Sequence, residues 1–192
     1  MPEKNIVMKY YYLLIFLLFV ISCQPGLPEQ SNKIRQNQLN TNDRKAENRI
    51  IPGAERPEEY MKFIRGKHAG MVVNQTSLGP EQMHLVDYLM GEGIDIQSVF
   101  APEHGFRGNV EAGGHVGNYT DKKTGISVIS LYGKHYKPKQ QDLIDTDVML
   151  FDIQDVGARF YTYISTMHYV MEACAEADIP LIIFDRPNPN GD

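Results

Sequence analysis

Short apolar runs alternate with amphipathic segments along residues 50–192. The apolar runs predict five strands, at Ala69–Val73, Ile94–Phe100, Ile126–Leu131, Val148–Phe151 and Pro180–Phe184. Further segments predict helices, at Pro57–Ile64, Pro80–Met90, Pro138–Ile144 and Phe160–Ala177. The fourth run is apolar throughout, as expected for a parallel strand that is buried on both faces. Strands alternating with helices predict an α/β fold: a three-layer sandwich around a mainly parallel sheet, Rossmann-like or flavodoxin-like.

The spacing of apolar residues also assigns a buried face to the two longest helices. In Pro80–Met90 the predicted core positions are Met83, Val86, Leu89 and Met90. In Phe160–Ala177 they are Phe160, Ile164, Met167, Met171 and Cys174. Cys174 is therefore predicted to be a buried structural thiol and not a nucleophile.

A polar motif follows each of the five predicted strands. The motifs are Asn74-Gln75-Thr76, Pro-Glu-His-Gly-Phe-Arg-Gly at 102–108, Ser-Leu-Tyr-Gly at 130–133, Asp-Ile-Gln-Asp at 152–155 and Asp-Arg-Pro-Asn-Pro-Asn at 185–190. In open α/β sheets, ligands bind in the crevice outside the carboxyl ends of the strands. Polar side chains from five motifs at one edge of the sheet predict one shared site. They also predict an enzyme rather than a scaffold.

The N-terminal segment predicts a targeting signal rather than part of the fold. Lys4 and Lys9 precede and flank the start of an apolar run at Leu13–Ile21, which is too short to span a bilayer comfortably. The run leads into Val-Ile-Ser-Cys at 20–23, which resembles a bacterial lipobox. We expect residues 1–23 to be a lipoprotein signal peptide with lipidation at Cys23. The alternatives are an ordinary signal peptide or a membrane helix that ends in cysteine.

Residues 24–49 are rich in Gln, Asn and charge, and they predict a disordered tether ahead of a folded domain at 50–192. The expected location is the cell envelope, with a lipid anchor on a periplasmic or outer-membrane-associated protein. If Cys23 carries lipid, Cys174 is the one cysteine left, so no internal disulfide is expected.

Composition and missing motifs narrow the function classes. A formal net charge of -5 gives no electrostatic reason to expect nucleic acid as a partner. No Gly-x-Gly-x-x-Gly follows the first predicted strand and no Walker-type Gly-Lys-Ser/Thr occurs, so no nucleotide cofactor is indicated. The histidines do not form a zinc spacing such as His-Glu-x-x-His, and no metal is assigned.

Glu103 and His104 are candidates for acid–base chemistry. A carboxyl group on a strand-end loop, beside an imidazole and partly buried, would hold its proton more readily and act as a general acid. The alternative is a carboxylate that stabilises the loop by accepting backbone N–H bonds. For His104, a structural or supporting role is favoured over metal ligation because no ligand set surrounds it in the sequence.

Tyrosine and amide side chains could complete the site. Tyr132 is either a half-buried ring or a hydroxyl that donates a proton or attacks an anomeric carbon, as in the glycosidases that use a tyrosine nucleophile. Tyr163 could line the same cleft. Asn74 and Gln75 offer amide groups suited to sugar hydroxyls or an acetamido group.

Acidic and basic residues follow the last two predicted strands. Asp152 and Asp155 could hold a metal, orient a sugar hydroxyl or cap the following helix. Asp185 lies in a stiff, proline-rich polar turn. Arg107 or Arg186 could bind a substrate carboxylate through two parallel hydrogen bonds.

These motifs together resemble the exo-β-N-acetylmuramidase family, formerly a domain of unknown function. The resemblance covers about residues 66–192. It rests on Asn74-Gln75-Thr76, Ala101–Gly108, Ser130–Gly133, Phe151–Gly157 and Asp185–Pro189, which occur in that order.

The resemblance implies a glycoside hydrolase that removes terminal N-acetylmuramic acid from the non-reducing end of peptidoglycan fragments. It implies a Rossmann-like N-terminal domain, a smaller C-terminal domain and a cleft between them. This chain ends where that second domain would start, so we expect a C-terminal domain to be missing. By this resemblance, Glu103 would be the catalytic acid and Tyr132 a catalytic tyrosine. Cleft-lining positions would be Asn74, His104, Asp152, Asp155 and Arg186.

Two other functions compete with a glycosidase. A metal-dependent hydrolase would use His104, Asp152, Asp155 and Asp185 and would lose activity with a chelator. A non-catalytic lipoprotein would bind a muropeptide or sugar and leave it intact. Neither accounts for an acid and a tyrosine at adjoining strand ends.

Overall fold

The strands and helices follow the predicted alternation closely. A computed structural model describes residues 50–108 and 117–191; the predicted signal peptide, the lipidation at Cys23 and the tether lie outside them. The strands are β1 (His68–Val73), β2 (Asp95–Ala101), β3 (Tyr119–Thr120), β4 (Ser127–Ser130), β5 (Val148–Asp152) and β6 (Leu181–Ile183). The α-helices are α1 (Pro57–Ile64), α2 (Leu85–Gly91) and α3 (Tyr163–Glu176), with 3-10 turns at Gly53–Glu55, Pro80–Gln82 and Gln140–Asp142.

The strands form one sheet in the order β3-β4-β2-β1-β5-β6. All neighbours are parallel except β3 and β4, which confirms the mainly parallel sheet. The five parallel strands follow the Rossmann order, 3-2-1-4-5 when they are numbered among themselves along the chain, and not that of flavodoxin. Strand order reverses between β1 and β5, which is the topological switch point of such a sheet.

Two apolar layers flank the sheet, as the three-layer prediction required. On one side Met71 and Val73 of β1 pack with the buried residues of α1 and α2. On the other side Val72 and Phe151 pack with α3. Every residue of β5 is buried, which confirms the reading of its apolar run.

Helix α2 is shorter than predicted. Glu81 and Gln82 have φ values of 58°, which no α-helix accommodates, and the helix begins only at Leu85. His84 caps it, because its ring Nδ1 accepts a hydrogen bond from the Val86 N–H at 3.3 Å. The core positions of this segment are Leu85, Val86 and Leu89. The predictions for Met83 and Met90 were wrong, since both side chains are exposed.

Helix α3 buries a different stripe from the one predicted. Phe160 lies before the helix and is 85% exposed, and Ile164 and Met171 are also exposed. The buried positions are Tyr163, Thr166, Val170, Ala173 and Cys174. Two neighbouring stripes of this helix are rich in apolar residues, so spacing alone chose the wrong one. Cys174 is common to both; its burial is confirmed, and burial raises the pKa of its thiol to about 11.

Smaller differences lie in the connections. The predicted helix at Pro138–Ile144 is only a 3-10 turn at Gln140–Asp142, and Ile144 is exposed. The two-residue strand β3 was not predicted, because its residues carry no apolar alternation. Among the described residues, no helix is long and apolar enough to cross a membrane.

Candidate active site

The loop after β1 is built around the buried side chain of Asn74. Its Oδ1 accepts hydrogen bonds from the N–H and the hydroxyl of Thr76, at 2.9 and 2.6 Å. Its backbone N–H donates to Ser77 Oγ at 3.0 Å. Asn74 Nδ2 is buried and makes no hydrogen bond of normal geometry within the described part of the chain. The oxygen of this amide therefore shapes the loop, and its buried nitrogen is left to act on the neighbouring Tyr163 phenol.

The loop after β2 makes a tight turn that carries Glu103 and His104. Gly105 donates its N–H to the Pro102 carbonyl at 3.0 Å, and His104 and Gly105 have φ values of 72° and 75°. Such a backbone is uncommon for a residue other than glycine, so His104 is held in a conformation that the surrounding packing must enforce. Both Glu103 and His104 are half-buried at the carboxyl edge of the sheet.

Glu103 and Tyr132 meet across the ends of β2 and β4. A side-chain hydrogen bond to Glu103, reinforced by the charge of that carboxylate, raises the pKa of the Tyr132 phenol. The phenol therefore stays protonated at neutral pH and donates to the carboxylate. The structure thus brings the two predicted catalytic residues into direct contact.

Two cavities adjoin this pair. The larger, about 380 Å³, is lined by Glu103, Leu131, Tyr132, Tyr136, Thr162, Ser165, Thr166 and Tyr169. The smaller, about 130 Å³, is lined by Glu103, His104, Phe160, Tyr161, Thr162 and Tyr163. Glu103 borders both cavities, so its carboxyl group lies between two spaces that are open to a ligand.

Tyr163 links the smaller cavity to the loop after β1. Burial raises the pKa of its phenol, and the nearby Asn74 amide opposes this shift to a lesser degree. The predicted position of Tyr163 at the cleft agrees with this placement, although its ring also belongs to the apolar layer beneath α3.

Asp152 and Arg186 form a buried ion pair. Arg186 Nε and Nη2 donate to the two carboxylate oxygens of Asp152 at 2.5 and 2.8 Å, and Nη2 also donates to the Leu78 carbonyl at 2.6 Å. The Asp152 side chain is 0% exposed and that of Arg186 is 7% exposed. Burial raises the pKa of Asp152, and Arg186 opposes that shift. This geometry argues against direct sugar binding by Asp152 and against carboxylate binding by Arg186.

The loops after β1 and β5 are joined by further hydrogen bonds. Ser77 Oγ donates to the Asp152 carbonyl, and the Gln154 N–H donates to Thr76 Oγ1 at 3.0 Å. Gln154 Nε2 donates to the Pro187 carbonyl at 2.6 Å, which adds the loop after β6. Three of the five polar loops therefore form one rigid support.

Asp155 and Asp185 lie apart from Glu103, at a third cavity of about 180 Å³ that Tyr163 and Arg186 also line. The Asp155 carboxylate accepts a hydrogen bond from the Gly157 N–H at 3.1 Å. It does not cap α3, because that helix begins only at Tyr163. The capping alternative for Asp155 was therefore wrong.

Arg107 and Gln75 flank the site. Arg107 donates four hydrogen bonds to the carboxylates of Asp87 and Asp121, so its guanidinium has no free edge for a substrate carboxylate. The direct substrate contact predicted for Arg107 does not fit this geometry. Gln75 is exposed and lies against Gly108, where an added Cβ would come within 2.8 Å of the Gln75 side chain.

The residues of the competing metal site do not converge. Within residues 50–108 and 117–191, no group of three or more His, Cys, Asp or Glu side chains could hold a metal ion. His104 borders the smaller cavity, Asp152 is paired with Arg186, and Asp155 and Asp185 border the third cavity.

Sequence reasoning missed the far wall of the larger cavity. That wall is made by Tyr136, Ser165 and Tyr169. Ser165 and Tyr169 are four residues apart, so they share one face of α3. The buried stripe predicted for α3 was placed one residue too late, which hid this polar face.

The fold and the site together define a Rossmann-ordered α/β domain with a hydrogen-bonded acid–tyrosine pair at the carboxyl edge of its sheet. Residues 69–192 match the family model described as exo-beta-N-acetylmuramidase NamZ, N-terminal. The chain belongs to this family.

Its relatives are known from bacteria. The chain is 48% identical over 134 residues to peptidoglycan beta-N-acetylmuramidase NamZ of Bacillus subtilis (strain 168), covering 69% of this chain and 32% of that protein. Two crystal structures of DUF1343 family proteins from Bacteroides fragilis are similar, with TM-scores of 0.64 and 0.63 at 41% and 39% identity. The alignments cover 72% and 73% of this chain and 35% of each structure. The chain thus spans about a third of the length of these relatives.

Proposed function

We propose that the protein is an exo-acting β-N-acetylmuramidase that removes terminal N-acetylmuramic acid from the non-reducing end of peptidoglycan fragments during cell-wall turnover. The observation that carries the proposal is the hydrogen-bonded pair Glu103–Tyr132 between two cavities. The 48% identity to a peptidoglycan β-N-acetylmuramidase supports the choice of sugar. Since the chain spans about a third of that relative, the activity is proposed for the whole protein.

Glu103 acts as the general acid in this proposal. It protonates the glycosidic oxygen while the bond from that oxygen to the anomeric carbon breaks and this carbon gains positive charge; a water molecule then supplies the hydroxyl group at the carbon, and the proton that it releases restores the acid. Tyr132 holds one carboxyl oxygen of Glu103 by its hydroxyl, which leaves the other oxygen to carry the proton toward the substrate.

The two cavities beside Glu103 suit the two sides of a glycosidic bond. A general acid must reach the oxygen between two sugars, so a sugar ring lies on each side of it. The larger cavity, of about 380 Å³, falls within the range of small-molecule sites, about 300–1,000 Å³. Its walls offer the rings of Tyr132, Tyr136 and Tyr169 to an apolar sugar face and the hydroxyls of Ser165 and Thr166 to polar groups.

The buried pairing of Asp152 with Arg186 supports a positioning role for both residues. The pair holds the loops after β1, β5 and β6 behind the site. Asn74, Gln75, His104, Tyr163, Asp155 and Asp185 remain proposed substrate-binding residues. Of these, Tyr163 has the firmest geometric support, because it borders the smaller cavity and the third cavity.

The test uses the whole protein without residues 1–23 and a chromogenic β-N-acetylmuraminide, with the matching glucosaminide as the sugar control. Glu103→Gln should lower turnover of the muraminide by about 10²–10⁴-fold, the usual contribution of a general acid. Tyr132→Phe keeps the ring and removes the hydroxyl that orients the Glu103 carboxyl group, so a loss of up to about 10²-fold is expected.

The matched control is Glu172→Gln, which changes an exposed carboxylate on α3 that pairs with Lys137 at the surface. It should leave turnover unchanged. Sugar binding without release of the chromophore by the wild-type protein would favour the binding lipoprotein. Loss of turnover on chelation, with metal in the purified protein, would favour the metal-dependent hydrolase.

A further inference from the structure

Arg107 ties the loop that carries Glu103 to two other parts of the domain. Its Nη1 and Nη2 donate to the Asp87 carboxylate of α2, at 3.1 and 3.0 Å. Its Nε and Nη2 donate to the Asp121 carboxylate, just after β3, at 3.0 and 2.9 Å. Both carboxylates are thus held by paired hydrogen bonds, the arrangement in which a guanidinium group is most specific.

The Asp121 side of this contact is itself rigid. The Asp121 carboxylate accepts hydrogen bonds from the N–H and the hydroxyl of Thr124, at 3.1 and 2.7 Å. The backbone N–H of Asp121 donates to the Ile126 carbonyl at 2.8 Å. Arg107 is therefore anchored to a closed turn that leads directly into β4, the strand that ends beside Tyr132.

Phe106, the residue before Arg107, adds a second anchor. Its ring is fully buried, lies 4.3 Å from the Arg107 guanidinium and packs edge-on against His84 at 4.8 Å. Burial lowers the pKa of His84, so the ring is neutral. Because its Nδ1 accepts from Val86, its Nε2 carries the hydrogen and donates to the Asn74 carbonyl at 3.0 Å.

Glu103 lies between two fixed points of its loop. On one side Ala101 belongs to β2, and its carbonyl accepts a hydrogen bond from the Leu131 N–H at 2.8 Å. On the other side stand Phe106 and Arg107. The short turn between them contains Gly105, which adopts its positive φ freely, and His104, whose positive φ persists only when the surrounding structure holds it.

From this arrangement we propose that Arg107 is a positioning residue, which fixes the turn so that the Glu103 carboxyl group meets the Tyr132 hydroxyl. The expected effect on kcat rests on the proposed function, whereas the expected effect on the contact between Glu103 and Tyr132 does not. Misplacing a reacting group by about 1 Å can lower a rate by about 10²-fold. Arg107→Met should therefore lower kcat by about that factor and leave KM nearly unchanged.

The deciding measurement is a fluorine NMR titration of the whole protein with 3-fluorotyrosine at position 132. In the otherwise wild-type protein the phenol should titrate above the same group in a short peptide, because of the hydrogen bond to Glu103. Arg107→Met should move the midpoint toward the peptide value. Arg107→Lys keeps the charge without the paired geometry and should give an intermediate midpoint. Arg65→Met, an exposed arginine of a 3.8 Å ion pair, should change nothing.

Circular dichroism at each pH shows which variants are folded. If Arg107→Met is unfolded, Arg107→Lys and Asp87→Asn decide the matter, because each retains part of the network. The proposal would be overturned if the folded Arg107 variants kept the wild-type midpoint of the Tyr132 phenol. If Arg107→Met is unfolded, the same midpoint in both Arg107→Lys and Asp87→Asn would overturn it. If the midpoint shifts as expected while the wild-type protein hydrolyses no muraminide, the positioning role stands and the proposed function fails.

Discussion

At the scale of single residues, their position in the wall of the larger cavity separates Glu103 and Tyr132 from other polar groups at the sheet edge. Asp152, Arg107 and Arg186 are also charged and lie in the same region, but each is held in an ion pair within the protein. A charged side chain that is fully paired and mostly buried supports structure and has little left to offer a ligand. Burial and partners therefore decide which polar residues can contact a ligand.

Asp121 yields a prediction on pH-dependent stability. The hydrogen bond from Arg107 lowers the pKa of this nearly buried carboxyl from 3.8 to about 2. A lowered folded-state pKa adds stability that is fully present above the unfolded value and is lost as the pH falls through the folded value. The shift corresponds to about 2 kcal/mol at neutral pH.

Asp121→Asn should therefore lower the free energy of unfolding by about 2 kcal/mol at pH 7 and flatten its decline between about pH 4 and pH 2. Urea denaturation at several pH values measures both effects. Asp145→Asn, at an exposed position, serves as the control. Equal stability of Asp121→Asn and wild type at pH 7 would contradict the prediction.

At the scale of elements, the loops after β1, β5 and β6 behave as one unit. Arg186 reaches from the last loop to Asp152 at the end of β5 and to Leu78 in the first loop. Helices and strands bring these loops to one edge, but the side chains in the loops fix how they meet. The loop after β2 has separate anchors, through Phe106 and Arg107.

Removing one partner of the buried ion pair should be costly. Arg186→Met leaves the Asp152 carboxylate buried without its cation, and such a change usually costs about 3–5 kcal/mol. Arg65→Met removes an exposed ion pair and should cost under about 1 kcal/mol. Combining Arg186→Met with Asp152→Leu should recover part of the loss, because no unpaired charge then remains.

Chemical denaturation of the four proteins, wild type included, measures these differences. Arg186→Met as stable as Arg65→Met would show that the pair does not hold the loops together. If the double variant were as destabilised as Arg186→Met, the loss of stability would come from the hydrogen bond to Leu78 instead.

At the scale of the whole molecule, the N-terminal segment gives a prediction on location. We propose a lipid-anchored protein of the cell envelope because the lipobox-like Val-Ile-Ser-Cys ends at Cys23, and peptidoglycan, the proposed substrate, lies in that compartment. Cells that express the whole protein should incorporate labelled palmitate into it. Cys23→Ala should abolish the label, and Cys174→Ala, which changes a buried thiol, should keep it. Equal labelling of wild type and Cys23→Ala would refute the anchor at this residue.

Much of the site was predictable because parallel strands deliver their carboxyl ends to one edge. The apolar runs predicted all five parallel strands, so the motifs that follow them had to gather there. Contact between Glu103 and Tyr132 needs more than this. It depends on β2 and β4 being neighbours in the sheet, and strand order is not encoded in the apolar pattern.

The sequence by itself determined the fold class and the edge of the sheet at which the candidate residues lie, because these depend on local periodicity and residue type. Tertiary structure alone decided the Rossmann strand order, the buried face of α3 and the partners of Asp152, Arg107 and Arg186. These features depend on contacts between residues far apart in the chain, such as residues 152 and 186. A carboxylate or guanidinium group looks the same in a sequence whether it faces a ligand or an opposite charge, and only its burial and neighbours distinguish the two.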